Sequence, residues 1–178
     1  MKYAVYLLAI VFLLSLNLGL FNNLQIRGQT PNLLFLFSLY FAFEKKDLDF
    51  FFVGFVCGLI LDFYSTTFFG SFTFSFLIIT LGLHLFVNNL ASVELNWKTL
   101  SFSLLVCLFA LDILVWLYSA AAFKLSWTQD SSGFKQYMAM FPLNFLYNLL
   151  FLYPVYVFAN FLKNFTDSLS ARRRSVIN

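Results

Sequence analysis

The sequence places a carboxylate in the middle of an otherwise uncharged apolar run. Asp62 lies in the stretch GFVCGLILDFYS, residues 54–65, within a run that extends from Phe50 to Phe69. A charge at the centre of a bilayer costs about 3 kcal/mol or more, so such residues are rare, paired and often functional. Two interpretations of Asp62 are open: a buried, hydrogen-bonded residue that holds helices together, or one group of a proton relay.

Two further titratable side chains lie in apolar runs, Asp112 and His84. Asp112 and Asp62 could face each other only if a shared proton or a partner group offset their repulsion. His84 could then supply a hydrogen bond. One histidine and two distant aspartates do not form a metal site of the usual composition. Cys57 and Cys107 sit in apolar sequence and are expected to be small buried side chains. No metal and no cofactor is predicted.

Gly54, Gly58 and Asp62 are spaced by four residues. This spacing places all three on one face of a helix. A Gly-x-x-x-Gly pattern allows another helix to approach closely, because no side chain keeps the two backbones apart. Asp62 is therefore predicted to point toward a packed protein interface and not toward lipid.

Asn144 and Asn148 repeat the four-residue spacing near the end of the chain. Asparagine amides form hydrogen bonds between helices in membranes, each worth about 0.6 kcal/mol. Pro154, in the same run, removes one helix hydrogen bond and favours a kink. Neither pattern is catalytic, and the sequence has no P-loop, no Gly-x-Ser-x-Gly and no His-Glu-x-x-His motif. We therefore expect a protein that is not an enzyme.

The elements that must position these residues follow from composition. The chain has 178 residues, of which 61% are hydrophobic and 11% charged. Soluble domains carry about 25% charged residues, so the sequence predicts an all-α integral membrane protein, a single domain over residues 1–178. Its apolar runs predict six transmembrane helices and a short basic cytoplasmic tail, residues 163–178; the helices cover residues 3–21, 30–43, 50–69, 70–93, 99–123 and 136–162.

The second run is the weak point of this topology. Residues 30–43 would reach only about 21 Å as a helix. A re-entrant hairpin formed by the second and third runs is the alternative, and it leaves four spans with the same ends inside. In the six-span arrangement, Lys and Arg predominate on the side of both termini. The positive-inside rule then predicts cytoplasmic N- and C-termini.

An ordered set of residues in this chain resembles the MreD family, the bacterial rod shape-determining membrane proteins. The similarity is most specific in TPNLLFLFSLYFAF (residues 30–43) and VGFVCGLILDFYSTTFFGSFTFSFLI (residues 53–78). The matching positions open with Pro31 and Asn32 and continue with Gly54, Gly58, Asp62, Ser65 and Gly70. Asp112 looks like part of the family's penultimate helix, and Asn148 and Pro154 like part of its last. The family often has aspartate where this chain has Asn32.

The resemblance implies a function that the residues alone do not give. MreD-like proteins are multi-pass inner-membrane parts of the elongasome. They bind the single-span protein MreC and work with RodA, with its penicillin-binding transpeptidase and, indirectly, with MreB filaments. Their fold is similar to the six-helix substrate-binding subunits of energy-coupling-factor transporters. The resemblance implies no catalytic residue, and the expected partners are membrane lipid and these proteins, with no nucleic acid.

Three functions are therefore compared. The first is a membrane scaffold that binds an MreC-like protein and helps organise lateral peptidoglycan synthesis and rod shape. The second is a vitamin-type binding subunit of a transporter, with a pocket lined by Trp127, Tyr137 and Asn144. The third is a proton or ion channel in which Asp62 and Asp112 act as relay groups.

Overall fold

The computed structural model describes residues 2–21, 23–26, 28–43, 49–65, 68–89, 97–124 and 134–177, and the side chains of all these except residues 97, 134–138 and 169–177. Six α-helices make up almost all of this part of the chain, and the predicted all-α class is confirmed. They are α1 (Lys2–Leu16, continued by a π-helical turn, Asn17–Phe21), α2 (Leu33–Ala42), α3 (Asp49–Tyr64), α4 (Ser71–Asn89), α5 (Trp97–Lys124) and α6 (Phe134–Ile177).

Four helical segments of the described chain are long and apolar enough to cross a membrane: Lys2–Phe21, Ser71–Asn89, Lys98–Lys124 and Ala139–Ser168. The other two helices are shorter. The 10 residues of α2 and the 16 residues of α3 reach about 15 Å and 24 Å, which is less than the roughly 30 Å of a hydrocarbon core. The described residues thus form an all-helical membrane protein with four candidate spans, and the prediction of six spans is not confirmed.

Several helix ends differ from the prediction for identifiable reasons. The second helix begins at Leu33 because the Asn32 side chain caps it, accepting a hydrogen bond from the Phe35 amide. The third ends at Tyr64, and Gly70 follows with a φ of 95°, a turn conformation that favours glycine. The sixth continues to Ile177, beyond the predicted end at residue 162, since residues 163–177 contain neither glycine nor proline.

The short helix α2 forms the centre of the bundle. Every side chain from Leu33 to Phe43 is buried. The helix packs against α1, α3, α4 and α6. Ser38, its one polar side chain besides Tyr40, donates a hydrogen bond to the Phe35 carbonyl within the same helix. A helix that is apolar all round must be covered on all sides, and the longer helices supply that cover.

Candidate functional site

The helices α3 and α4 approach each other closely at two glycines. A Cβ atom added at Gly58 would lie 2.6 Å from Thr73 Cα and 3.0 Å from both the Phe72 carbonyl oxygen and the Thr73 nitrogen. These are backbone atoms, which cannot rotate away. At Gly54 the added Cβ would lie 3.1 Å from Thr80 Oγ1. At both glycines α3 therefore lies in close contact with α4.

Asp62 completes this contact by capping α4 from the neighbouring helix. Its Oδ1 accepts a hydrogen bond from the Phe72 amide at 2.9 Å, and its Oδ2 accepts one from the Thr73 amide at 3.0 Å. The Thr73 hydroxyl donates to the same Oδ2. The first amides of a helix lack partners within the helix and carry partial positive charge. The carboxylate is 4% exposed, and these donors explain how it can remain buried.

Gly70 shapes the turn that brings Asp62 and the start of α4 together. It precedes Ser71, the first residue of α4, and its φ of 95° lies in the region that favours glycine. Its carbonyl accepts a hydrogen bond from the Phe74 amide. Gly54, Gly58, Asp62 and Gly70 therefore form one structural unit, which is called the α3–α4 contact below.

A second group of predicted residues forms a chain of side-chain amides. The backbone amide of Asn32 donates to Asn148 Oδ1 at 2.9 Å. Asn148 Nδ2 in turn donates to Asn144 Oδ1 at 2.7 Å and to the Asn144 carbonyl at 2.8 Å. Asn148 is fully buried, with 0% exposure. This amide chain attaches the start of α2 to α6 across 116 residues of sequence.

The amide chain ends beside a carboxylate. The side chain of Asn144 lies next to that of Asp112 on α5. Asp112 is only partly buried, in contrast to Asn148. The network therefore links three elements: the start of α2, α5 and α6. Pro31 is buried directly before this network, whereas Pro154 is exposed on α6, which continues through it as a helix.

His84 belongs to neither group. It is 7% exposed and its ring stacks on Phe50 of α3, with centroids 4.2 Å apart and planes at 21°. Its Nε2 lies 2.9 Å from Asn88 Nδ2, and Nδ1 has no hydrogen-bond partner. The three titratable groups that could have met in one site, Asp62, Asp112 and His84, thus have separate local partners. Among the described residues no cluster of three potential metal ligands is found.

One polar cluster was missed by sequence reasoning. Asp49, assigned to a loop, is the first residue of α3 and is 4% exposed. It forms a salt bridge with Lys2, and the fully buried Tyr6 hydroxyl donates to its Oδ2 at 3.2 Å. Thr166 of α6, 4% exposed, interacts with Tyr6. These four residues are called the N-terminal cluster. The sequence signal for this cluster was Lys2, because a buried carboxylate such as Asp49 needs a cationic partner.

Two remaining predictions concern cysteines and a pocket. Cys57 and Cys107 are free and buried, as expected from their apolar surroundings. Of the residues proposed to line a vitamin pocket, the side chains of Trp127 and Tyr137 lie outside the described part of the chain, and Asn144 belongs to the amide chain.

Comparison with protein-family models, with curated proteins and with solved structures finds no match for this chain.

Proposed function

We propose that this protein is a non-enzymatic membrane scaffold of the MreD type. In this role it binds an MreC-like single-span protein in the bacterial inner membrane. It thereby helps to position RodA, its penicillin-binding transpeptidase and, indirectly, MreB filaments for lateral wall synthesis and rod shape. The ordered residues that resemble this family supply the identity of the partners.

The observation that carries the proposal is that the buried polar residues form hydrogen bonds within the bundle. Asp62 caps α4, and the amide chain fastens α2 to α6. Within a membrane, helices associate through close packing and hydrogen bonds, because lipid is as apolar as the side chains. A bundle whose polar groups are engaged in this way is suited to present rigid surfaces to other membrane proteins.

The cavity between α2, α5 and α6 is too small to be a vitamin site. Its volume is about 10 Å³, and its lining includes Leu36, Tyr40, Leu104 and Tyr156. That volume holds roughly one water molecule, whereas small-molecule sites measure about 300–1,000 Å³.

Asp62 fits the scaffold better than a proton relay, because the amides of α4 donate hydrogen bonds to both of its oxygens.

The proposed topology places both termini in the cytoplasm. The interaction between Tyr6 and Thr166 brings the start of α1 and the end of the α6 span to the same end of the bundle. Four spans require this arrangement, and the excess of Lys and Arg near both termini supports a cytoplasmic assignment.

A pull-down in mild detergent tests the proposal. The tagged full-length protein is isolated from its native membrane, and both proteins and small molecules are identified by mass spectrometry. We expect an MreC-like single-span protein in near-stoichiometric amount, together with RodA. Recovery of an ATPase pair or of a stoichiometric vitamin, without an MreC-like protein, would show that the protein is a transport subunit.

A further inference from the structure

Asp112 is the carboxylate whose surroundings are least consistent with a purely internal role. It lies on α5 about 21 Å from Lys98 and about 18 Å from Lys124 along the helix, so it is near the middle of that span. It is partly exposed, and Phe109, one turn earlier, is 42% exposed. Asp62 and Asp49, by comparison, are each 4% exposed. A partly exposed carboxylate at this depth needs a partner.

The amide chain leads from the start of α2 to this carboxylate. The Asn32 amide donates to Asn148, Asn148 donates to Asn144, and the Asn144 side chain lies next to Asp112. A carboxylate can accept about four hydrogen bonds, more than the Asn144 amide can supply. Within the described part of the chain no cation pairs with Asp112.

We infer that Asp112 and the exposed seam of α5 around Phe109 are the docking point for a partner's transmembrane helix that carries a lysine or arginine at mid-membrane height. The inference rests on the proposed function, since the partner is the single-span protein of the scaffold. Charge complementarity selects the partner's chemistry, because an ionised carboxylate inside a low-dielectric span attracts a cation strongly. Intramembrane charges characteristically pair with one another. The flanking apolar side chains, Leu105 and Phe109, then pack against the incoming helix.

Site-directed photo-crosslinking of the full-length protein in its native membrane tests this inference. A benzoylphenylalanine replaces Phe109, beside Asp112, and in a matched control it replaces Phe86, an exposed aromatic side chain of α4. We expect a crosslink from position 109, and none from position 86, to a single-span protein whose spanning segment contains Lys or Arg. Adducts to lipid alone at position 109 would overturn the inference.

The Asp112→Asn substitution distinguishes a loss of partner docking from a loss of folding. Asparagine has nearly the same size as aspartate and its amide oxygen can accept a hydrogen bond from Asn144, so the bundle should keep its thermal stability, while the charge is lost. We expect the crosslink yield at position 109 to fall about tenfold or more. Replacing the partner's cation by leucine should produce the same loss, with little further loss in the double variant. An unchanged yield in Asp112→Asn would refute the inference.

The two proposals can fail separately. If the pull-down recovers the MreC-like protein but its crosslinks arise at position 86 and not at position 109, the scaffold stands and the docking point is wrong. If the pull-down recovers a transport ATPase pair or a vitamin instead, the proposed function itself is wrong.

Discussion

Gly58→Ala should be the most damaging glycine-to-alanine change among the described glycines. The new Cβ would meet three backbone atoms of α4, the nearest being Thr73 Cα at 2.6 Å. Ordinary carbon–carbon contacts are about 3.5–4.0 Å, so α3 and α4 must separate by roughly 1 Å. That displacement stretches the hydrogen bonds from the Phe72 and Thr73 amides to Asp62, now 2.9 and 3.0 Å.

The magnitude follows from two contributions. Overpacking a tight contact costs about 1–3 kcal/mol. Weakening hydrogen bonds to a charged group costs about 1.5–3 kcal/mol for each bond that is lost. Allowing for partial relaxation, we expect a loss of about 3 kcal/mol. For a protein of this size, 1 kcal/mol shifts the Tm by about 2–4 °C, so the Tm should fall by about 6–12 °C.

Two other glycines provide matched controls. An added Cβ at Gly54 meets the Thr80 side chain at 3.1 Å, and one at Gly82, on α4, meets nothing within 4 Å. Gly54→Ala should therefore cost less than Gly58→Ala. Gly82→Ala should be neutral or stabilising by up to about 1 kcal/mol, because alanine favours helix more than glycine does.

A thiol-reactive fluorophore gives the readout in detergent. Cys57 and Cys107 are free and buried, so both react only when the bundle opens. The reasoning would be refuted if Gly58→Ala unfolded at or above the Tm of Gly82→Ala, because the close approach of α3 to α4 would then be absent from the folded protein.

Four further predictions can be tested in the same thermal assay. Asp62→Ala should lower the Tm by about 6–12 °C by leaving the first amides of α4 unpaired, and Asp62→Asn should lower it less; equal effects would contradict the capping role. Lys2→Met should destabilise more than Asp49→Asn, because it leaves a buried charge without its partner; the reverse order would contradict the salt bridge. Asn148→Leu should cost about 2 kcal/mol by breaking the amide chain, and no loss would show that α2 is held otherwise. Gly70→Ala should cost about 1–3 kcal/mol from its positive φ; an unchanged Tm would mean that the turn is not strained.

The α3–α4 contact could be predicted from the sequence in large part. The four-residue spacing of Gly54, Gly58 and Asp62 fixes their common face, and small residues imply a close neighbour. The spacing does not reveal which atoms pair with the carboxylate. Two of the three donors are backbone amides of α4, and every residue except proline has an amide, so no residue type could mark them; the third donor is the Thr73 hydroxyl. The identity of the partner of Asp62 therefore required the structure.

The N-terminal cluster and the short central helix show a second limit. Asp49 follows the charged stretch EKKD, and composition alone assigns it to a loop. It is buried because Lys2, Tyr6 and Thr166, which are distant in sequence, meet there. The second apolar run was counted among six spans and was the weak point of that prediction because it is short; its burial on all sides depends on how four other helices pack around it. Contacts between residues far apart in sequence leave no periodic signal.

The position of α2 explains why polar side chains occur in these apolar runs. A ten-residue helix in the centre of a membrane bundle has ends that cannot both reach water, so its first amides need partners inside the protein. Asn32 caps one of them from its own side chain, and Asn148 holds Asn32 in place. Asp62 likewise accepts hydrogen bonds from the first amides of α4. Carboxylate and amide side chains in these apolar runs are therefore retained because helix ends lie within the bundle. Asp112, which caps no helix end, is the residue to examine for a partner.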